Sequence, residues 1–365
     1  MIDLFNRPDG TDVGDSLKMA KTPYSKETKK NKHRANTATA SDNHIAIMDC
    51  KNDLLELLGT HFLICNEKIQ SKGEDSGFEA YTHDAAVIGA FDGCGGLGSK
   101  TCPTISNKTE AYLASRAVSN AVKQWFRYNF SIGFKWEVDS LKKYICANLK
   151  LCQSCADETG LKLKGTMVRP FPSTIAMITF QIDKGKLSTE HFWAGDSRTY
   201  VLDSFGIGQI SIDDIKGEDA MTNLTRDGAL TNVLSADGKF VIHKAHFEPS
   251  HPCIMLCSSD GCFGYVSSPM EFELMILSSL EKSNCVDEWQ RTLNDEISSR
   301  SGDDQTLALA AFGFSSFREM KKYFYDRYKA VLAVVQKFEN ADAGEKQLLW
   351  EQYKPGYYRH SAKEE

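Results

Sequence analysis

The sequence has no apolar run that approaches the ~20 residues needed to cross a bilayer, so we expect no membrane-spanning helix. Its start, MIDLFNRPDG, lacks a positively charged segment followed by an apolar core, so we see no secretory leader. Basic residues are outnumbered by acidic ones, and the net charge of -6 argues against general nucleic-acid binding. These absences predict a cytoplasmic protein with no membrane and no nucleic-acid partner.

Cysteine is present, but not at the spacing of a disulfide framework. There are 11 cysteines, and an odd number cannot pair completely within one chain. Cys152 and Cys155 form a single CxxC, and no second pair follows at zinc-finger spacing. We interpret the cysteines as reduced thiols in a reducing compartment, with a metal or redox role for the CxxC as the less favoured alternative.

Composition divides the chain into three segments. Residues 1–45 are polar, with basic side chains crowded between Lys18 and Arg34, which predicts a disordered tail; docking to an acidic partner or anionic surface is the alternative. Residues 46–314 form the main domain. Residues 315–365 carry an amphipathic helix, which we expect to pack on that domain, with partner docking as the alternative.

Hydrophobic periodicity within residues 46–314 predicts both helices and strands. Apolar residues recur at helical spacing over residues 114–125 and 141–152, and two more helices are predicted around residues 272–280 and 286–297. The runs STIAMITF, KLSTEHFWAG and TLALAAF are rich in β-branched and aromatic residues, which is typical of strands. This order of elements predicts an α+β domain in which helices cover antiparallel sheets.

Four apolar runs each deliver an aspartate beside glycine or small polar residues. They are AAVIGAFDGCGG with Asp92, STEHFWAGDSR with Asp196, CIMLCSSDG with Asp260, and SGDDQTLALAAF with Asp303 and Asp304. Carboxylates at the ends of buried strands are poorly hydrated and repel one another unless a cation neutralises them. Because oxygen ligands favour Mg²⁺ or Mn²⁺ over zinc, the pattern predicts a site for one of these ions.

The stretch GCGGLGSKT superficially resembles a phosphate-binding P-loop. That motif requires glycine immediately before the lysine and another five residues earlier, but these positions hold Ser99 and Cys94. A nucleotide-dependent P-loop enzyme is therefore the least favoured hypothesis. We interpret Gly93, Gly95 and Gly96 as a tight turn that lets the backbone approach a metal ion.

Seven motifs in order resemble the PPM-type metal-dependent protein phosphatases, also called type 2C. They are GEDSGF with Glu74 and Asp75, FDGCGG, STIAMITF, AGDSRTYVL, LTRDGALTNVL, LCSSDGCFG and GDDQT, and they cover roughly residues 44–314. The resemblance implies two antiparallel β-sheets in a sandwich flanked by helices. It also implies a monomeric serine/threonine phosphatase, acting on a phosphorylated protein and opposed by a kinase, that uses water activated between two Mn²⁺ or Mg²⁺ ions.

The resemblance further implies a role for each acidic residue. Asp92 would bridge the two ions, Asp260 and Asp303 would hold one of them, and Glu74 with the carbonyl of Gly93 would hold the other. Asp92 and Asp260 are thus the residues assigned to catalysis.

Two more carboxylates and two departures complete the prediction. Asp196 would support a more loosely held third ion, and Asp75 would act mainly through bound water. Cys94 stands where most eukaryotic members have a histidine, and Gln70 stands where the family often has a phosphate-clamping arginine, with Lys72 as a substitute charge. These departures motivate a second hypothesis, a catalytically impaired phosphatase-like module that binds phosphoproteins as a regulator.

Residues 205–227 lie where the family carries a variable flap beside the active site. Its acidic residues Asp213, Asp214, Glu218 and Asp219 could influence substrate choice. We interpret the segment as a solvated loop.

Overall fold

The computed structural model describes residues 53–156, 169–183, 185–216, 219–224 and 228–361. The predicted tail over residues 1–45 lies outside these ranges. Two five-stranded antiparallel sheets face each other, and helices cover the outer face of each. The α+β sandwich predicted from the sequence is therefore confirmed. The three-segment division of the chain stays a prediction.

The elements alternate along the chain much as the periodicity predicts. The strands are β1 (Leu58–Asn66), β2 (Ser76–Tyr81), β3 (Ala85–Phe91), β4 (Thr101–Cys102), β5 (Lys108–Thr109), β6 (Ile175–Asp183), β7 (Lys186–Ala194), β8 (Arg198–Asp203), β9 (Gly206–Gln209), β10 (His243–Phe247), β11 (Cys253–Ser258) and β12 (Gln305–Phe312). The helices are α1 (Leu54–Leu57), α2 (Glu110–Ile132), α3 (Val138–Ala156), α4 (Ala220–Asn223), α5 (Asp260–Phe263), α6 (Pro269–Lys282), α7 (Val286–Ser298), α8 (Phe317–Asn340) and α9 (Ala343–Tyr357).

The two sheets have different strand orders but share one core. The first sheet has the order β1-β12-β11-β8-β9, and the second has the order β10-β7-β6-β3-β2. Strands β3, β11 and β12 are buried along their whole length, which explains why their sequences are continuous apolar runs. Phe180 and Phe312 meet between the sheets, with ring centres 4.7 Å apart.

Each sheet carries its own helical layer. Helices α2 and α3 cover the second sheet, and α2 begins at a Thr109 cap and ends at Gly133, whose φ of 78° is left-handed. Helices α6 to α9 cover the first sheet. The apolar stripe of α8, with Met320, Phe324 and Val331, is buried against α6 in the core that covers this sheet, so the packing interpretation of the C-terminal helix is the one observed. None of the helices in the described ranges is long and apolar enough to cross a membrane.

Candidate metal centre

The acidic motifs all lie at one end of the sandwich. Strand register places the start of β2 beside the end of β3, and the start of β6 beside the end of β7. In the other sheet, the end of β11 lies beside the starts of β8 and β12. Because every predicted acidic residue sits next to one of these strand ends, the topology gathers residues that are far apart in sequence.

Asp92 occupies the middle of this acidic cluster. Its backbone N–H donates to Thr174 Oγ1 at 3.1 Å, and its carbonyl accepts from Thr174 N at 2.7 Å and Ser173 Oγ at 2.9 Å. Burial raises the pKa of Asp92 well above its usual range, and the negative charges of four neighbours raise it further: Asp75, Asp260, Asp196 and Asp303. Four of the predicted site residues thus act electrostatically on the fifth.

Asp75 connects the two sheets at this end. Its carboxylate accepts a hydrogen bond from Ser259 Oγ at 2.6 Å, and Ser259 N donates to the carbonyl of Thr306 in the first sheet. Burial raises the pKa of Asp75 to about 7; the bond from Ser259 opposes this shift, and the charge of Asp260 adds to it. Asp75 therefore interacts electrostatically with Asp260 across the two sheets.

Glu74 is held against the glycine turn that follows Asp92. Gly93 N donates to the Glu74 carbonyl at 3.2 Å, and Thr109 Oγ1 donates to the Glu74 carboxylate. A Cβ on Gly93 would lie 2.2 Å from the Ala111 carbonyl oxygen, and one on Gly95 would lie 2.1 Å from Glu74 Oε2. Glycine is therefore required at position 93 for the backbone to approach this closely, while a side chain at position 95 would displace the Glu74 carboxylate. Burial is the main cause of the raised pKa of Glu74.

Asp196 sits in the turn between β7 and β8, where the chain crosses from the second sheet to the first. The preceding Gly195 has a φ of +95°, in the left-handed region, and its N–H donates to Asp214 Oδ2 at 3.0 Å. Burial raises the pKa of Asp196 to about 7, and the charges of Asp260 and Asp213 contribute. The turn thus directs Asp196 toward the same cluster.

Asp303 and Asp304 differ from each other in surroundings. Asp303 is exposed, and its Oδ1 accepts from Asp304 N at 2.8 Å. Asp304 accepts from the backbone N–H groups of Lys68 and Glu74, at 2.8 and 2.7 Å. Asp304 therefore fixes the segment before β2, a role that the sequence motif did not reveal. In the part of the chain that the structure describes, no three or more His, Cys, Asp or Glu side chains are already gathered around one point.

The predicted ligands are therefore neighbours that are not closed into a cage. Every donor in the set is an oxygen, which fits Mg²⁺ or Mn²⁺. Burial, and after it the mutual repulsion of the carboxylates, raises the pKa values of Asp75, Asp92 and Asp196, and a divalent cation would offset both effects. The role of each individual ligand stays a prediction.

The two departures from the family pattern can also be located. Cys94 is buried, and burial raises the pKa of its thiol well above the usual range, so the thiol stays protonated. Gln70 and Lys72 are exposed. Sequence reasoning missed Arg116 on α2, whose guanidinium lies 3.3 Å from Glu67 and whose charge reaches Glu74.

Hydroxyl groups beside the aspartates are the other residues that sequence reasoning missed. Ser259 precedes Asp260 and bonds to Asp75, while Ser197 follows Asp196 and lies 2.6 Å from Thr174 Oγ1. Adjacency to an acidic residue was the signal available in the sequence, but it does not reveal which distant partner the hydroxyl contacts.

The interpretation of residues 205–227 as a solvated loop was wrong for its acidic residues within the described ranges. The Asp213 carboxylate and the Arg198 guanidinium form an ion pair at 2.6 Å, and both side chains are at least 94% buried. Asp219 caps α4 and accepts from α9. These carboxylates are hydrogen-bonded or ion-paired within the protein instead of being hydrated by solvent. Glu218 lies outside the described residues.

No protein-family model matches the chain, and no curated protein matches it. Among solved structures, the serine/threonine phosphatase Stp1 from Staphylococcus aureus is 20% identical, with a TM-score of 0.50 over 70% of this chain and 96% of that one. The serine/threonine phosphatase PstP/Ppp from Mycobacterium tuberculosis is 16% identical, with a TM-score of 0.46 over 70% of this chain and 99% of that one. RsbX in complex with magnesium is 15% identical, with a TM-score of 0.44 over 69% and 94%. The likeness to Stp1 shows the fold, and the type 2C phosphatase fold expected from the motifs is confirmed.

Proposed function

We propose that this protein is a metal-dependent protein serine/threonine phosphatase that hydrolyses phosphomonoesters. The observation that carries the proposal is the acidic cluster at the end of the sandwich, where Asp75, Asp196, Asp260 and Asp303 act electrostatically on Asp92 or on one another. A cluster of this kind, on a phosphatase fold, fits two Mn²⁺ or Mg²⁺ ions with a third held more loosely.

The ions would supply the chemistry, by lowering the pKa of the attacking water between them and offsetting the charge of the ester. Asp92 would lie between the two positions, Asp260 and Asp303 would hold one ion, and Glu74 with the Gly93 carbonyl would hold the other. Asp196 would support the third position, and Asp75 would act through water. Asp92 and Asp196 would serve by staying in place, since hydrogen bonds fix the backbone at Asp92 and at the preceding Gly195.

No serine or cysteine is assigned as a nucleophile. The Cys94 thiol is buried and stays protonated, so it has neither the access nor the thiolate form that attack on phosphorus requires. The natural substrate class would be phosphorylated serine or threonine in a protein, opposed by a kinase, with the phosphatase acting as a monomer in the cytoplasm.

Hydrolysis of a phosphothreonine peptide tests this proposal. The protein should release phosphate only with added Mn²⁺ or Mg²⁺, and Asp92→Ala should abolish release. Asp84→Asn is the matched control, because Asp84 is exposed and precedes the opposite end of β3. Turnover that survives both chelation and Asp92→Ala would rule the proposal out.

The second candidate is a phosphatase-like module that binds phosphoproteins without turnover. The exposed Gln70 and the buried, protonated Cys94 favour it, because neither supplies the charge or proton transfer of the residue it replaces. Calorimetry with the same phosphopeptide distinguishes the two functions: tight binding without phosphate release in saturating Mn²⁺ would favour the module.

A further inference from the structure

A chain of buried hydrogen bonds runs from helix α9 toward the turn that carries Asp196. Tyr357 O–H donates to Gln209 Oε1 at 2.9 Å, and Gln209 Nε2 donates to Asp213 Oδ1 at 2.8 Å. Asp213 in turn accepts from Arg198 Nη2 at 2.6 Å and from Arg198 Nε at 3.0 Å. Tyr357, Gln209 and Arg198 are at most 3% exposed. Since unpaired buried polar groups are costly, each member restricts the geometry of the next.

Two consecutive aspartates bracket the Asp196 turn. Asp213 pairs with Arg198, two residues after Asp196. Asp214 accepts from Gly195 N through its carboxylate at 3.0 Å, and its own backbone N–H donates to the Gly195 carbonyl at 2.9 Å. The residues on both sides of Asp196 are therefore held by one short segment of the chain.

Helix α9 holds the same segment at a second place. Trp350 Nε1 and Lys354 Nζ each donate to Asp219 Oδ2 at 3.0 Å. Ala220 N donates to the hydroxyl of Tyr358, just beyond the helix, at 2.7 Å. The segment from Gln209 to Ala220 thus connects α9 to the site, although its residues 217–218 lie outside the described ranges.

Arg198 extends this connection to a second acidic residue. Its guanidinium lies 4.2 Å from the centre of the Phe263 ring, at the end of the short helix α5 that begins at Asp260. A planar guanidinium held by a bidentate carboxylate and stacked on an aromatic face has little freedom to turn. The position of the Asp213 carboxylate therefore restricts the orientation of the Arg198 guanidinium. It also restricts the backbone just before β8.

We propose that α9 is a positioning element for Asp196, and that Tyr357 is the positioning residue through which it acts. The effect on the turn is a property of the metal-free fold. Its consequence for ion binding at Asp196 rests on the proposed function.

Two tyrosines on α9 provide a matched comparison in the full-length, metal-free protein. Tyr357→Phe removes the hydroxyl bonded to Gln209, and Tyr353→Phe removes a hydroxyl bonded to Glu273, away from the segment. We expect amide hydrogen exchange of peptides spanning residues 194–200 to become about 3–10-fold faster in Tyr357→Phe, as one lost hydrogen bond allows. Tyr353→Phe should leave that exchange unchanged.

Equal exchange over residues 194–200 in the two variants would overturn the positioning role. Should Tyr357→Phe fail to fold, Gln209→Met breaks the same chain from β9 and is expected to give the same local increase. This readout does not depend on phosphatase activity, so it decides the positioning role even if the wild type releases no phosphate.

A titration with Mn²⁺ tests the consequence at the site. Tyr357→Phe should bind Mn²⁺ about 3–10-fold more weakly than Tyr353→Phe by calorimetry. Equal affinities in the two variants would overturn the link between α9 and the metal site. A wild type that binds no Mn²⁺ would contradict the proposed function and this consequence together, while the exchange result still decides the effect on the turn.

Discussion

Asp196→Asn removes one negative charge from the acidic cluster, and we expect it to stabilise the metal-free protein increasingly as pH rises. Burial raises the pKa of Asp196 from an ordinary value of 3.8 to about 7, and the charges of Asp260 and Asp213 contribute. Between these values the folded state binds more protons than the unfolded state. Ionisation of the Asp196 carboxyl therefore lowers the free energy of unfolding of the wild type as pH rises from about 4 to about 7.

The magnitude follows from linkage. Each pH unit well inside this window costs the wild type about 1.4 kcal/mol relative to a variant that cannot ionise there, and because the carboxyl is half ionised near pH 7, the loss between pH 5 and pH 7 is about 2 kcal/mol. Asp196 is only partly buried as a whole residue, so water reduces the penalty. We therefore expect the variant to gain about 1–2 kcal/mol over the wild type across this range.

Urea unfolding in the presence of a chelator, at several values from pH 5 to pH 7, measures this difference. Asp84→Asn is the control, because an exposed aspartate remote from the site should change stability by less than about 0.5 kcal/mol at every pH. Saturating Mn²⁺ should reverse the order, since ion binding would stabilise the wild type more than the variant. A stability gap that stays constant or narrows as pH rises would refute the reasoning.

Two further predictions concern buried ionisable side chains away from the acidic cluster. Glu273→Gln should lower the free energy of unfolding by about 2–4 kcal/mol in urea titrations. Glu273 is fully buried and pairs with Arg327 at 2.5 Å, so the substitution would leave the guanidinium without its charged partner. A loss below about 1 kcal/mol would contradict this prediction. Burial, with a smaller effect from the charge of His246, lowers the pKa of His191 from 6.5 to about 3. Between pH 6.5 and pH 3 the unfolded state therefore binds more protons than the folded state, and the free energy of unfolding falls as pH drops below about 6.5. His191→Gln should remove about 2–3 kcal/mol of that loss between pH 6.5 and pH 4.5, and an unchanged acid limb would contradict it.

The sequence predicted the fold well in those segments where the spacing of apolar residues distinguishes a helix from a strand. The stripe over residues 114–125 lies within α2, and the continuous apolar run before Asp92 is the fully buried strand β3. Helix α9 was missed because Pro355 and Gly356 lie in its last turn and its apolar residues form no clear stripe. Its burial comes from long-range partners of Trp350 and Tyr357, which local spacing does not encode.

The candidate site was predictable in outline and not in detail. Acidic residues at strand ends predicted a cluster, because antiparallel register brings alternate strand ends together. The bond between Ser259 and Asp75, and the backbone contacts of Asp304, depend on pairs more than 180 residues apart. The error about Asp213 arose over a separation of only 15 residues, because an acidic residue in a loop is expected to be solvated unless its buried Arg198 partner is known.

The carboxylates of the acidic cluster are held in two different ways. Asp92 and Asp196 are fixed by hydrogen bonds at the ends of strands, and the segment bonded to α9 reinforces the second of them. Asp303, in contrast, is exposed and lies two residues before the start of β12. The carboxylate of Asp303 accepts from Asp304 N, and its carbonyl accepts from Gln305 Nε2, so a local turn holds this residue where the strand ends hold Asp92 and Asp196.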